Sequence, residues 1–353
     1  MYRNTKNVPY YVFGRGSLAQ LGDLLKPRRE AVDGPVVYFV DHFFRDHELI
    51  GRLPMEKGDQ LHFVDSSSEP EVTRIDAFKE AVSAADSRTP CCVVGIGGGN
   101  ALDTAKAVAN LLTNPGKAED YQGWELVKNP AVYKIGIPTL SGTGSECSRT
   151  CVLTNIPKNL KLGMNSDYTV YDQLLLDPDL LATVPRDQYF YTGIDTFMHC
   201  VESLQGSYRN AIIDAFSVRA VQLCEEIFLS DDMMSEDNRE KMMIASYIGG
   251  MAAGNVGVIH PFSAGLGVVL HVAHGLGNCL ALNVLGDIYP KEYKQFRTMI
   301  ERQGVNLPTG ICKDLTKEQY EGLYRGCIVT NALGPDFKQI LTRENLIERY
   351  KSI

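Results

Sequence analysis

The sequence predicts a two-domain α/β protein, in which a domain built on a parallel sheet precedes a helical domain. The chain has 353 residues, a length that usually folds as about two domains. In the first half, short β-branched runs alternate with amphipathic segments, which is the pattern of βαβ units. Beyond Asp187, strand-like runs become rare and long helical patterns dominate. We therefore expect the two domains to span residues 1–180 and 181–353.

The elements of the first half follow from its hydrophobic periodicity. Short β-branched runs predict strands at residues 36–40, 91–96 and 133–137. Apolar residues recur at helical spacing over residues 100–112, which predicts a helix directly after the second of these strands. Alternation of this kind is typical of a parallel sheet with crossover helices.

In the second half, helical periodicity covers residues 211–228 and 241–253. A polar loop is predicted at residues 229–238. The stretch at residues 242–286 contains no Asp, Glu, Lys or Arg, but it carries histidines, asparagines and frequent glycines. We interpret it as buried helix with polar chemistry, and we expect no membrane span.

Composition and charge narrow the class of protein. The formal net charge is −8 and no basic run interrupts the acidic balance, so nucleic acid is not an expected partner. Nine cysteines are scattered through apolar segments without CxxC pairs, which favours free thiols in a reducing compartment. The N-terminus lacks the apolar core of a signal peptide. We expect a cytoplasmic enzyme.

A glycine-rich turn, Gly97-Gly98-Gly99-Asn100, follows a predicted strand and opens a predicted helix. Glycine lets the backbone approach a phosphate closely, and a helix N-terminus presents free N–H groups to the anion. The spacing matches neither GxGxxG nor the GxxxxGK[ST] loop. We interpret the turn as a phosphate cradle. The alternative is a tight turn that needs glycine only for packing of the strand against the helix.

A second polar turn, at residues 138–146, also follows a predicted strand. Its hydroxyls and N–H groups are suited to a second phosphate or a ribose, since open α/β sheets bind ligands at the carboxyl ends of their strands. Asp41 ends an earlier strand, where a carboxylate accepts hydrogen bonds from an adenosine ribose and repels a 2′-phosphate. This favours NAD over NADP. A polar loop that caps the next helix and a solvated aspartate are the alternatives.

A candidate metal site lies in the second half. Asp195 and His199 stand four residues apart in a helical segment, so both side chains leave one face of the helix. His260 and His274 follow in the same half, and His271 is a spare histidine between them. One carboxylate with three imidazoles suits Fe²⁺, Zn²⁺ or Mn²⁺ and leaves a position open for substrate. As the alternative, each histidine is an ordinary core or surface residue.

The two turns resemble motifs of the iron-containing, or group III, alcohol dehydrogenases, a family that includes relatives similar to glycerol dehydrogenase. Residues 97–106 are similar to the family's GGGSxxDxAK loop, with Asn100 in place of serine. Residues 138–146 are similar to its PTTAGTGSE loop, with Leu140 and Ser141 as the two substitutions.

The candidate metal site resembles the same family. Residues 193–202 look like its GxDAxxHxxE segment, with threonine in place of alanine, and His260 and His274 look like its third and fourth ligands. The resemblance implies a dehydroquinate synthase-like fold, with a Rossmann-like domain that binds NAD(P), NAD being preferred, and an all-α domain that holds Fe²⁺ or Zn²⁺. The implied metal ligands are Asp195, His199, His260 and His274. The implied dinucleotide site comprises Asp41, Gly97, Gly98, Gly99, Asn100, Thr139, Leu140, Ser141, Gly142, Thr143 and Lys161.

The chain departs from the family at one position near the metal. The family often has a second histidine four residues after its third ligand, and this chain has Ala264 there. His271 is the substitute that we predict as the catalytic proton relay. It is equally suited to hold a metal ligand by a hydrogen bond.

The resemblance implies oxidation of a primary alcohol to an aldehyde with NAD as hydride acceptor, and oxygen stays open as another acceptor. Within the family, the chain is similar to members that oxidise the C8 hydroxyl of 3-deoxy-D-manno-octulosonate (Kdo) for lipopolysaccharide sugar biosynthesis, whose product an aminotransferase consumes. Arg149 is a candidate cation for the Kdo carboxylate. A homodimer is expected. The alternatives are a non-redox lyase of the dehydroquinate synthase type, a dehydrogenase for another small alcohol, and a binding protein that keeps the cofactor fold.

Overall fold

The computed structural model describes residues 6–206, 209–252, 257–328 and 341–353. The chain divides into two compact units. The first, here called the α/β unit, comprises residues 1–140, 145–155 and 162–183. The second, here called the helical unit, comprises residues 141–144, 156–161 and 184–353.

Within residues 6–183 the structure has nine strands and three α-helices. The strands are β1 (Tyr10–Phe13), β2 (Val36–Asp41), β3 (Gln60–Val64), β4 (Cys92–Gly97), β5 (Gly123–Trp124), β6 (Lys134–Pro138), β7 (Thr150–Asn155), β8 (Leu160–Asn165) and β9 (Gln173–Leu176). The helices are α1 (Leu21–Ala31), α2 (Val72–Ala85) and α3 (Gly99–Leu111). Six strands form a parallel sheet in the order β1-β9-β6-β4-β2-β3, and β5, β8 and β7 form a small second sheet.

The central strands of the large sheet are buried on both faces. In β2, Val37 and Phe39 belong to the apolar cluster that includes α2 and α3, whereas Tyr38 belongs to the cluster that includes α1. This alternation follows from the two-residue period of a strand, and burial on both faces is typical of a parallel sheet. The three predicted strands are confirmed as β2, β4 and β6, and the predicted helix at residues 100–112 is confirmed as α3, one residue earlier at each end.

The helical unit contains eight helices among the residues described. They are α4 (Arg186–Gln205), α5 (Ala211–Phe228), α6 (Glu236–Ala252), α7 (Ile259–Leu270), α8 (His274–Val284), α9 (Pro290–Gln303), α10 (Lys317–Ile328) and α11 (Arg343–Lys351). The predicted fold class, an α/β Rossmann-like domain followed by an all-α domain, is confirmed. Of the helices described, none is both long and apolar enough to cross a bilayer.

Helix α6 begins five residues before the predicted start at residue 241, so the polar loop predicted at residues 229–238 ends early. Glu236 and Asp237 lie in its first turn, where acidic side chains interact favourably with the helix dipole. Ser235 accepts a hydrogen bond from the backbone N–H of Asn238 at 3.4 Å, as an N-cap residue does. Ala253, the predicted last residue of this helix, lies outside the described residues. All nine cysteines are buried and free of disulfides, as expected.

Candidate active site

The four predicted metal ligands meet inside the helical unit. Asp195 and His199 project from the same face of α4, one turn apart. His260 is the second residue of α7, and His274 is the first residue of α8. One potential ligand atom from each of the four residues lies within 4.8 Å of the others. Three helices therefore converge on one carboxylate and three imidazoles.

Asp195 is the centre of this cluster. Its Oδ1 atom lies 3.0 Å from Nε2 of His260, and its Oδ2 atom lies 3.4 Å from Nε2 of His274. The rings of His199 and His260 stack with centroids 4.2 Å apart. The Asp195 side chain is 0% exposed, whereas that of His274 is 31% exposed. The cluster is buried except on the side of His274, which gives a substrate one direction of approach.

Two buried polar atoms of the cluster lack a hydrogen-bond partner among the described residues: Oδ2 of Asp195 and Nδ1 of His199. Buried polar atoms are nearly always paired, because leaving one unpaired costs free energy. A divalent cation would satisfy both atoms. One oxygen donor and three imidazole nitrogens form a set that Fe²⁺ and Zn²⁺ accept, so the residues present fit the predicted metal.

Burial and the neighbouring charges shift the pKa values of Asp195, His199 and His260 in different directions. Burial alone would raise the pKa of Asp195, but the neighbouring His199 and His274 hold it well below its usual value. Burial lowers the pKa of His199 to about 3, against the opposing charge of Asp195. Burial would likewise lower the pKa of His260, but Glu202 and Asp195 raise it to about 10. His199 is thus neutral at pH 7, the form in which imidazole binds metals.

Two residues that the sequence reasoning left without a role contact these ligands. Glu202, buried on α4, accepts hydrogen bonds from Nδ1 of His260 and from the backbone N–H of Ile259. Asn278, buried on α8, donates to Oδ1 of Asp195 at 2.7 Å. Glu202 lies seven residues after Asp195 and Asn278 lies four residues after His274, so helical spacing places each on a ligand-bearing face. That spacing is the signal that could have identified both.

His271, the predicted proton relay, lies apart from the four-residue group. It is exposed, and it ends α7 in a left-handed backbone conformation with φ of 54°. No side chain in the described part of the molecule hydrogen bonds to its ring. A non-glycine residue in this conformation is uncommon, and it lets the chain turn between α7 and α8 within three residues.

In the α/β unit, the glycine turn brings the end of β4 against Asp41. Gly97 has φ of 152°, and a Cβ atom there would lie 2.6 Å from Cβ of Ala101 and 3.0 Å from Cβ of Asp41. Gly97 therefore allows a close approach that no side chain would permit. Helix α3 begins at Gly99, so its first N–H groups, which have no partner within a helix, follow the turn directly. The phosphate cradle at this turn stays a prediction.

Hydrogen bonds hold Asp41 and Asn100, which lie beside the glycine turn. Oδ1 of Asp41 accepts hydrogen bonds from the backbone N–H of Phe43 at 3.0 Å and from the hydroxyl of Ser66 at 2.9 Å. The amide nitrogen of Asn100 donates to the backbone oxygen of Ser68. Both predicted cofactor residues are thereby tied to the segment that follows β3.

The second turn is divided between the two units. Thr139 donates its backbone N–H to the oxygen of Gly97 at 3.0 Å, and both residues belong to the α/β unit. Leu140 belongs to the same unit and packs beside Gly98, where a Cβ atom would lie 3.3 Å from its side chain. Residues 141–144, which include Ser141, Gly142 and Thr143, belong to the helical unit, as does Lys161.

Gly142 has a structural role in the helical unit. Its φ is 147°, and a Cβ atom there would lie 1.7 Å from the backbone oxygen of Thr192. Its N–H donates to the hydroxyl of Ser246 at 2.8 Å, and its carbonyl accepts from the hydroxyl of Thr196 at 2.9 Å. Because both backbone groups are used within the unit, packing against α4 and α6 explains this glycine.

Asp103 and Lys106, quoted above only as part of a motif, hold the segment after the second turn. Asp103 accepts hydrogen bonds from the hydroxyl of Ser145 and from the backbone N–H of Val152. Nζ of Lys106 donates to the backbone oxygens of Ser145 and Thr150. These two buried side chains attach residues 145–152 to α3.

Comparison with known proteins assigns the chain to a family. Residues 9–178 match the family model of the iron-containing alcohol dehydrogenases, and residues 189–321 match the model of the C-terminal part of the same family. The chain therefore belongs to the iron-containing alcohol dehydrogenase family. The family assignment confirms the predicted class of enzyme, a metal-dependent alcohol oxidoreductase, and the four-residue cluster fits the divalent metal of that family.

Individual relatives act on different compounds. A sulfoacetaldehyde reductase of Bilophila wadsworthia is 34% identical over 220 residues, which cover 61% of this chain and 56% of the relative, just over half its length. An NAD-dependent methanol dehydrogenase of Bacillus methanolicus is 29% identical over 76% of this chain and 71% of that protein. A sulfoacetaldehyde reductase from Bifidobacterium kashiwanohense, solved with NAD⁺, superimposes with a TM-score of 0.81 at 24% identity, over 99% of this chain and 98% of that one.

Proposed function

We propose that this protein interconverts a primary alcohol and its aldehyde, with a divalent cation held by Asp195, His199, His260 and His274 and with NAD as hydride acceptor. The observation that supports this proposal most strongly is the pair of buried atoms without hydrogen-bond partners in the four-residue cluster. When bound, the cation supplies Lewis acidity that eases loss of the hydroxyl proton at neutral pH, and NAD accepts the hydride.

The proposal gives a task to the metal cluster, to the glycine turn with α3, and to Asp41. Asp195 and the three histidines hold the cation and leave the half-buried side of His274 for the alcohol. The glycine turn and the N-terminus of α3 bind the pyrophosphate of NAD, and Asp41 binds the adenosine ribose. Binding of both reactants by one chain converts an encounter between them into a reaction within one complex.

The remaining predicted cofactor residues, Thr139, Leu140, Ser141, Gly142, Thr143 and Lys161, stay part of the proposed dinucleotide site. Ser141 is buried, and its hydroxyl has no hydrogen-bond partner in the described ranges. A buried hydroxyl in this state is suited to hydrogen bond a ligand.

We propose His271 as the group that passes the proton to solvent. Its ring is exposed at the end of α7, three residues before His274. An imidazole ring can accept a proton at one nitrogen and donate one from the other. His271→Gln should reduce turnover about 10²-fold, in the range of a lost general acid–base group, while metal content is retained.

For the substrate, we propose a primary alcohol that carries a polar or anionic group. The C8 hydroxyl of Kdo is the particular candidate, from the family resemblance, and its aldehyde product would suit an aminotransferase. Sulfoacetaldehyde is the second candidate, because two relatives are named for its reduction. Arg149 does not support either substrate, since its guanidinium is paired with Glu125 and with Asp167, the latter at 2.8 Å.

The test combines metal analysis of the purified protein with anaerobic measurement of NADH. Kdo, the alcohol of sulfoacetaldehyde, methanol and 1,3-propanediol are each offered with NAD⁺. One metal per chain and NADH formation with one of these alcohols are expected. Metal binding without net NADH from any alcohol would contradict the oxidoreductase proposal and favour a lyase that uses NAD transiently.

We also propose a homodimer. Strand β1 is an edge of the large sheet, and its residues Tyr10 and Tyr11 are 65% and 58% exposed. Exposed aromatic side chains on an edge strand are typical of a surface that pairs with another chain. Light scattering after size-exclusion chromatography should give twice the chain mass of 39.1 kDa, and Tyr11→Lys should shift the protein toward monomer.

A further inference from the structure

Asn278 lies where the three ligand-bearing helices meet. Its side chain is fully buried on α8, one turn after His274. Its amide nitrogen lies 2.7 Å from Oδ1 of Asp195 on α4 and 3.3 Å from Nε2 of His274. Its amide oxygen accepts a hydrogen bond from the hydroxyl of Ser263 on α7, and that hydroxyl lies 2.9 Å from the backbone oxygen of His260. One amide therefore links all three helices.

The chemistry of these partners determines which end of the amide faces Asp195. A carboxylate only accepts hydrogen bonds, so the NH₂ end of Asn278 must face Asp195. The hydroxyl of Ser263 can donate, and it holds the carbonyl end in the opposite direction. Loss of this hydroxyl would leave the carbonyl end of the amide without its hydrogen bond to α7.

This arrangement makes the two oxygens of Asp195 unequal. Oδ1 accepts the amide hydrogen of Asn278 and lies 3.0 Å from Nε2 of His260. Oδ2 lies 3.4 Å from Nε2 of His274, itself a proposed ligand, and has no hydrogen-bond partner among the residues described. Only Oδ2 is therefore available to a cation without loss of an existing hydrogen bond.

We propose that Asn278 is a positioning residue that occupies Oδ1 of Asp195, so that Asp195 binds the cation through Oδ2 alone. The inference rests on the proposed metal site. Without the amide, the carboxylate is free to rotate and to offer both oxygens, which raises the coordination number of the cation. Groups that orient metal ligands typically change metal affinity about 10- to 100-fold when they are removed.

The test uses Co²⁺ as the probe, because its visible absorption weakens as its coordination number rises. The full-length protein is stripped of metal and titrated with Co²⁺ alone, and affinity and spectrum are recorded. Asn278→Ala should bind Co²⁺ about tenfold or more weakly, with weaker visible bands than the wild type. Ser263→Ala keeps the amide but frees its carbonyl end, so it should change both quantities in the same direction and by less.

Asn283→Ala is the matched control on the same helix. Asn283 contacts Arg297 at 3.4 Å and contacts none of the four ligands, so affinity and spectrum should equal those of the wild type. Wild-type behaviour of both Asn278→Ala and Ser263→Ala would overturn the inference and leave the metal site intact. Absence of Co²⁺ binding by the wild type would instead overturn the proposed function, and this inference with it.

Discussion

The two units bury charged side chains in different ways. In the α/β unit, the ammonium of Lys106 donates to two backbone oxygens and Asp103 accepts from a hydroxyl and a backbone N–H. In the helical unit, Asp195 and His199 each keep a buried atom without a hydrogen-bond partner in the described part of the chain. Burial of unpaired polar atoms costs free energy, so such atoms indicate a ligand rather than a structural role. Lys106 and Asp103 therefore have the contacts of structural residues, whereas Asp195 and His199 have those of a metal site.

The largest effect is expected from Asp195→Asn, which removes the central ligand of the cluster. Metal affinity should fall by more than about 100-fold, beyond the effect of losing a group that only orients a ligand, and alcohol oxidation should be lost. Metal content and NADH formation measure both effects. Asp187→Asn, on an exposed position of α4, is the matched control and should behave as the wild type. A variant at Asp195 that keeps its metal would contradict the assignment.

Lys106→Met should lower the stability of the fold and leave metal binding unchanged, the opposite of Asp195→Asn. Nζ of Lys106 lies 3.5 Å from Oδ1 of Asp103, so the substitution leaves this carboxylate buried without its cation. That loss costs about 3–5 kcal/mol of unfolding free energy. Urea unfolding measures the loss, and metal content of the folded fraction should not change. Adding Asp103→Asn should recover part of the stability, because the unpaired charge is removed. Lys57→Met, on an exposed position, is the control. Equal unfolding free energies of Lys106→Met and the wild type would contradict the structural role of Lys106.

Asp59 is another buried carboxylate with hydrogen-bond partners, and its contribution to stability can be tested by changing the pH. Its buried carboxylate accepts from Arg29 at 2.6 Å and from the backbone N–H of Val36 at 2.9 Å. Burial alone would raise the pKa of Asp59, but these hydrogen bonds lower it. Stabilisation is therefore complete above the unfolded pKa, about 3.9, and is lost as the pH falls through the folded pKa.

Asp59→Asn should accordingly lose about 1–3 kcal/mol at pH 7, the usual cost of a lost charged hydrogen bond. The difference from wild type should shrink as unfolding is repeated at lower pH. Asp33→Asn is the control, since the Asp33 side chain is 90% exposed. A difference that stays constant down to acid pH would show that Asp59 is not stabilising as a charge.

The smallest effect is expected from Glu202→Gln. The Gln side chain keeps one oxygen for its two former donors, Ile259 N–H and Nδ1 of His260, so one hydrogen bond is lost. Metal affinity should fall about tenfold, as for other groups that orient a metal-binding histidine. Chelator competition measures the change, with Glu301→Gln on α9, whose side chain is 71% exposed, as the control. An unchanged metal affinity would mean that Glu202 does not orient His260 for metal binding.

Sequence reasoning predicted the fold because local periodicity carries it. The continuous apolar run of β2 and the helical spacing of α3 are both visible along the chain, and both elements lie within one residue of their predicted bounds. The start of α6 was misjudged because its first turn is acidic and polar, which resembles a loop when only apolar periodicity is read.

Half of the proposed metal site could be predicted from local spacing, whereas the residues that contact it could not. Asp195 and His199 share a helix face at a fixed spacing. The role of Asn278 depends on where α4 and α7 pass α8, which no local pattern encodes. Gly142 has a packing role that the sequence did not reveal. We predicted it only as part of a cofactor loop. In the structure, the close approach of the Thr192 backbone also requires a glycine, and the two residues are 50 positions apart in the sequence.

Diffraction from crystals grown with Zn²⁺, with data collected on both sides of the zinc absorption edge, tests the central claim most directly. The account predicts one anomalous peak per chain, within bonding distance of Oδ2 of Asp195 and of one ring nitrogen each of His199, His260 and His274. A peak at another position, or the same peak in crystals of Asp195→Asn, would contradict it.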